Sequence, residues 1–198
     1  MPPDPPGDPP VRHIRVHDEV VLIESVAKLA AASHFSDRWF ADAREQSRLP
    51  GQDARRREIL FAVCVAETYL FEWVLHEVFR DDWDGATKFF PESARRGVHE
   101  KWQEVPKELV ADHRLPATPD LGGPHGSDWL KLVGLRDALM HAAVSRPRVR
   151  MGDDPAPMTT SSGELEALAP GWALGVVVDR IHRLHSAAVT PPPSWLAK

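Results

Sequence analysis

The 198-residue sequence predicts an all-α fold: a four- to five-helix bundle with short extra helices and Pro-rich disordered tails. Three observations carry that expectation. No proline lies between Val11 and Leu49, or between Gly51 and Phe90, and these stretches hold the longest helical periodicity. No two alternating apolar runs meet at a tight Gly/Asn turn, so β-hairpin signals are absent. No period of about 20–50 residues repeats and no heptad is sustained, which sets aside solenoids and coiled coils.

The elements follow in order. A first helix is expected from an N-cap near Asp18 to about Ala43, because Leu22, Val26, Leu29 and Ser33 share one helical face. Pro50-Gly51 breaks the chain and Asp53 caps the next helix, about 54–80. That helix opens with Arg55, Arg56 and Arg57 and continues ILFAVCVAETYLFEWVLHEVF. It is apolar on nearly every side, so other helices must surround it. Short helices and turns are expected over 81–126, with a Pro- and Gly-rich loop from Pro116 to Gly126. Ser127 or Asp128 caps a third long helix, about 128–144, stopped before Pro147. A loop follows to about Leu168, and a last helix runs from Pro170, a good first-turn residue, to about Val189. Six of the 19 prolines lie in residues 1–10, and three more are Pro191, Pro192 and Pro193. One domain over 13–189 is therefore expected between Pro-rich tails at 1–12 and 190–198.

Composition narrows the function classes. With 42 % apolar and 27 % charged residues, the chain can bury roughly 70 % of its unfolded surface without a disulfide or metal. Cys64 is the single cysteine, which excludes an intrachain disulfide and cysteine-pair zinc sites; in its apolar run it reads as a small hydrophobe. The net charge of −5 argues against a sequence-blind nucleic-acid coat, though a local basic site remains open. No apolar run approaches the roughly 18 residues of a membrane span, and the N-terminus lacks a signal-peptide pattern. A cytoplasmic protein without membrane association is expected.

Chemistry gathers on the third long helix, WLKLVGLRDALMHAA. Trp129, Leu132, Val133, Met140 and Ala143 form one stripe, and Arg136 falls in its middle. Glu67 lies similarly among Leu60, Val63, Phe71, Val74 and Val78 on the second helix. Two readings follow. Arg136 pairs with Glu67 across packed helices, or it lies in a cleft or interface with its stem packed and its guanidinium wet. His141 is about 140° around the helix from Arg136, so the two converge on one small group only near a helix end or across a dimer axis.

Other constellations are weaker. Asp179, His182 and His185, spaced i, i+3, i+6, have the types of metal ligands, but such histidines are more often surface or supporting groups, and no metal or other cofactor is expected. His76-Glu77 begins like a zinc-protease motif, but residue 80 is Arg. Gly122-Gly123-Pro124-His125-Gly126 lacks the Lys-Ser/Thr of a phosphate loop. Trp73, Trp102, Trp129 and Trp172 read as core or interface anchors.

Arg136-Asp137-Ala138-Leu139-Met140-His141 resembles the R-x4-6-H motif of the HEPN superfamily. Glu67-Thr68-Tyr69-Leu70-Phe71-Glu72 is similar to an early-helix segment of that superfamily, with Phe71 where Asn is common. Lys101-Trp102 with Pro106-Lys107-Glu108-Leu109 is similar to a mid-chain segment of some prokaryotic members. The likeness spans roughly residues 55–185. It implies a helical bundle, a homodimer, and a metal-independent endoribonuclease site at the dimer interface, in a bacterial toxin, defence or stress system with an antitoxin or other protein partner. His141 would be general acid/base, Arg136 would stabilise the phosphorane, and Asp137 would orient a side chain of either protomer. Arg146, Arg148 and Arg150 would bind RNA phosphates beside the motif. Many such domains lack activity, so the alternative is a non-catalytic helical dimerisation or partner-binding module on the same fold.

Overall fold

The structure, a computed structural model, describes residues 12–16, 19–23, 35–91, 96–144 and 162–197, with side chains described over 35–91, 96–140 and 164–197. The chain divides into two compact units, Met1–Phe35 and Ser36–Lys198.

The first unit corrects the expected first helix. Strands β1 (Arg12–Val16) and β2 (Glu19–Ile23) pair antiparallel, with Arg12 opposite Ile23 and Val16 opposite Glu19. The segments RHIRV and EVVLI are rich in β-branched residues, which fit a pleated surface better than a helix turn. Leu22 lies in β2, Val26, Leu29 and Ser33 lie outside the described residues, and helix is present from Phe35 onward.

Among the described residues, Ser36–Lys198 is built of helices. They are α1 (Phe35–Arg48), α2 (Gln52–Trp73), α3 (Trp83–Thr87), α4 (Val98–Ala111), α5 (Gly123–Val144), α6 (Ser162–Glu166) and α7 (Trp172–Ala188). A π-helical turn, Val74–Val78, continues α2, and a 3-10 turn, Ser194–Ala197, ends the chain. Helix α2 packs against α4, α5, α6 and α7, as its all-round apolar sequence requires. By length and composition Gln52–Val78 could cross a bilayer, contrary to expectation, but it is the central helix and mostly buried in the bundle.

Two polar clamps fasten the bundle. Glu58, only 1 % exposed, pairs with buried Arg55 one turn earlier. Its carboxylate also accepts the backbone N–H groups of Gly171 (3.3 Å) and Ala173 (3.1 Å), at the start of α7. Those N–H groups have no intrahelical acceptor, and a carboxylate there also favours the helix dipole. Arg55 in turn donates to the carbonyls of Ser47 and Leu49, at the end of α1. One ion pair thereby ties a helix C-terminus to a helix N-terminus. At the other end of α1, Ser36 donates its N–H and hydroxyl to Glu72.

Three further boundaries differ from expectation. Helix α4 runs fourteen residues through Pro106, because Val98, Trp102, Val105 and Leu109 bury a continuous face that outweighs the proline's cost of about 3 kcal/mol. Helix α5 starts at Gly123 inside the expected loop, with Pro124 in its first turn where no N–H is needed. The C-terminal segment is not a disordered tail. Trp195 is buried against Phe40 (5.0 Å between ring centroids) and Tyr69 (5.6 Å), a contact large enough to hold the short segment down.

Candidate functional site

Helix α5 carries the motif, and its two halves differ. Trp129, Leu132 and Leu135 are buried, whereas from Arg136 to Met140 every side chain is half-buried or exposed. Leu130 and Met140 are among the exposed large hydrophobics. Positions 130, 134, 137 and 141 share one helical line, of which Leu130 and Gly134 are exposed and Asp137 half-exposed. The His141 side chain lies outside the described residues, as do Arg146, Arg148 and Arg150.

The expected Glu67–Arg136 pair is not formed. Glu67 binds Lys101 of α4 at 2.7 Å. Arg136 instead meets its neighbour Asp137 at 3.2 Å, with side chains 26 % and 50 % exposed. The reason is access: both Glu67 and Arg136 lie at the edge of the α2 interface, so each takes the nearest partly solvated partner rather than crossing the core. Arg136 Nε is buried with no hydrogen-bond partner among the described residues. Both charges are felt at half-buried Cys64: burial pushes its thiol pKa up, Glu67 adds to the rise and Arg136 opposes it. This thiol is protonated and unreactive at neutral pH.

A second buried cation, besides Arg55, is Arg180 on α7, 3 % exposed. Its guanidinium lies 4.3 Å from the Trp129 ring centroid and 5.5 Å from that of Trp102. Trp129 Nε1–H donates to His99 Nδ1 at 3.1 Å, so His99 carries its own proton on Nε2. Burial presses the Arg180 pKa down to about 9, against the pull of Asp179, and it remains a cation at neutral pH. Two indole faces stand where a carboxylate would otherwise be needed. Replacing Arg180 with Met, apolar and similar in length, is expected to leave stability within about 1 kcal/mol or raise it, whereas Arg180→Ala leaves a cavity and costs about 2–5 kcal/mol; thermal melts of both variants check this.

The Asp179, His182 and His185 constellation separates. Asp179 binds Arg183 at 2.7 Å and His125 at 3.1 Å, and His182 is exposed. His185 turns inward, with Nε2 bonded to the Tyr69 hydroxyl and Nδ1 at 2.8 Å from Thr190 Oγ1. No metal-binding cluster is present among the described residues.

Burial pushes the His185 pKa below its ordinary value, against the pull of Glu77 and Thr190, and His99 is lowered too, by burial and then by Arg180. Below the unfolded pKa of about 6.5 the unfolded chain takes up protons that the folded chain refuses. Stability is therefore expected to be level above that pH and to fall on acidification through the window down to the depressed values. In melts from pH 7.5 to pH 5, His185→Gln should show a shallower acid limb; equal slopes in both proteins would remove His185 from the account.

Sequence reasoning missed three of these arrangements: Arg180 between its indoles, the Arg55–Glu58 clamp and the Tyr69–His185 contact. The same signal that marked Arg136 marks the first two. Arg180 is centred among Ala173, Val177, Ile181 and Leu184, and Glu58 follows Ala54 and precedes Ile59 and Ala62 on buried faces. No protein-family model, no curated protein and no solved structure matches this chain.

Proposed function

We propose that this chain is a HEPN-like RNA-cleaving or RNA-binding protein of a bacterial toxin, defence or stress system, acting without metal through a composite site formed by two copies of α5. The observation that carries the reading is Arg136. It stands half-exposed, away from Glu67, and among the described residues its buried Nε has no partner and its counter-charge is the neighbouring, half-exposed Asp137. Such a surface pair is weak, so the guanidinium stays available to an anion. A guanidinium binds two phosphate oxygens at once and becomes more valuable as the phosphorane gains charge.

His141 then takes the proton of the ribose 2′-OH, or gives one to the leaving 5′-oxygen. The 2′-oxygen attacks phosphorus, the P–O5′ bond breaks, and the products are a 2′,3′-cyclic phosphate and a 5′-hydroxyl. A second copy supplies the complementary group, since Arg136 and position 141 point about 140° apart on one helix. Asp137, in line with position 141 one turn earlier, is placed to orient a side chain across that interface. Arg146, Arg148 and Arg150 extend the cationic track along the RNA.

The test is cleavage of structured and single-stranded RNA in EDTA, with the product termini read chemically. EDTA-resistant cutting that leaves cyclic phosphate supports the enzyme. Exposed Leu130 and Met140 favour a second reading, a non-catalytic module that docks an antitoxin or other protein on the same face. RNA retained without cutting supports the RNA-binding form. Neither cutting nor RNA binding by the folded chain transfers the assignment to the docking module.

A further inference from the structure

A cavity of about 270 Å³ has no residue of α5 among those that line it. Its wall comes from the π-helical turn after α2, the segment following α4 and the end of α7. Trp73 lines it and is 4 % exposed, yet its indole Nε1 is buried with no hydrogen-bond partner among the described residues. That nitrogen has no accessible surface, so the cavity meets other atoms of the ring.

The charges of the wall are two guanidiniums, Arg80 and Arg114, against one carboxylate, Glu77. Arg114 is held in place: its Nε–H donates to Asp112 at 2.7 Å and its plane lies 4.2 Å from the Phe79 ring centroid. Those contacts leave the outer NH2 edge of the fork unengaged among the described residues. Arg80 makes no ion pair there. Thr190 adds a hydroxyl already fixed by His185 Nδ1 at 2.8 Å. Val78, Leu115 and Ala188 supply apolar surface.

Helix ends meet around the cavity. Four non-glycine residues among those described have left-handed backbones: Arg80 (φ 49°), Asp81 (φ 69°), His113 (φ 58°) and Val189 (φ 55°). Every one of them lines the cavity or directly adjoins a residue that does. Glycine would adopt these angles more cheaply, and β-branched Val189 is the most costly. His113 and Val189 are left-handed caps that close α4 and α7, with Arg114 N–H bonded to the Leu109 carbonyl (2.9 Å) and Thr190 N–H to that of His185 (3.1 Å). The π-helical turn Val74–Val78, which re-aims side chains by one inserted residue, supplies Glu77 and Val78 to the same wall.

We propose that this cavity binds a small organic anion: a carboxylate or phosphate monoester carrying a short apolar body. The anionic group lies between the Arg80 and Arg114 guanidiniums. The apolar body lies on Val78, Leu115 and Ala188. The volume falls at the small end of ligand pockets, which excludes a dinucleotide or a peptide helix.

Calorimetric titration of the full chain near pH 7, with hexanoate and separately with phenyl phosphate, tests this. Binding of at least one probe is expected, and the one that binds identifies the anion. Arg80→Ala, at an exposed position, is expected to weaken binding about tenfold or more, the usual worth of a charge-assisted contact. Arg114→Gln, which removes the second guanidinium, is expected to weaken binding to a similar degree. His141→Ala is expected to bind as the parent does, which separates this site from RNA cleavage. No heat with either probe at about 10 mM, or unchanged affinity in Arg80→Ala, overturns the proposal.

Discussion

His141→Ala is expected to lower RNA cleavage by about 10²–10⁴-fold, the usual contribution of a positioned general acid or base, while leaving the thermal midpoint nearly unchanged. The mildness of the structural effect follows from position. By helical spacing, position 141 falls in register with Leu130, Gly134 and Asp137, none of which is buried. Arg136→Ala is expected to abolish cleavage as well, with a stability cost below about 1 kcal/mol, because its carboxylate partner is the half-exposed Asp137. A Glu67–Arg136 pair sealed between helices would have made that same substitution cost several kcal/mol. Since Glu67 is held by Lys101, Arg136 can be removed without orphaning it. Full cleavage by His141→Ala would sink the mechanism. A large fall in the midpoint of Arg136→Ala would mean that the guanidinium holds the fold together instead.

Glu58→Ala carries the largest expected loss of stability, about 3–5 kcal/mol. The substitution leaves the Arg55 guanidinium buried without a counter-charge. It also strips acceptors from the N–H groups of Gly171 and Ala173 at the start of α7. For a chain of this size each kcal/mol moves the midpoint by roughly 2–4 °C, so a fall of about 10 °C is expected in a thermal melt. Lys107→Ala is a useful contrast. It breaks an ion pair with Glu104 whose side chains are 56 % and 43 % exposed, and should shift stability by less than about 0.5 kcal/mol. Equal effects of the two substitutions would show that the clamp between α1 and α7 is no stronger than a surface pair. A double replacement of Arg55 and Glu58 by apolar residues should recover part of the loss, because no uncompensated charge then remains inside.

The central helix was legible before any coordinates. A long apolar run bounded by Pro50-Gly51 allows little else, and the structure places that helix from Gln52 into the turn ending at Val78. The third long helix and the last helix were legible for the same reason, since period and caps are local properties written into neighbouring residues. Helical character was therefore determined by the sequence alone. Other features depended on residues far apart in the chain. The short strands β1 and β2 carry no tight-turn signal, so their pairing was invisible to a local rule. Trp195 looked like part of a proline-rich tail until Phe40 and Tyr69 were brought beneath it.

Charge pairing belonged still more fully to tertiary structure. Helical faces correctly marked Glu67 and Arg136 as polar groups set among apolar ones, but a face gives direction and not distance. Lys101, from a third helix, decided the partner of Glu67. The same limit hid Arg180, whose partners are two tryptophans from α4 and α5, and His185, whose spacing with Asp179 suggested a metal site but whose ring turns to Tyr69. Periodicity fixes which side of a helix a residue occupies, because it depends only on backbone geometry. Partners are chosen by which helices pack together, and that choice is made by the burial of the whole apolar surface at once.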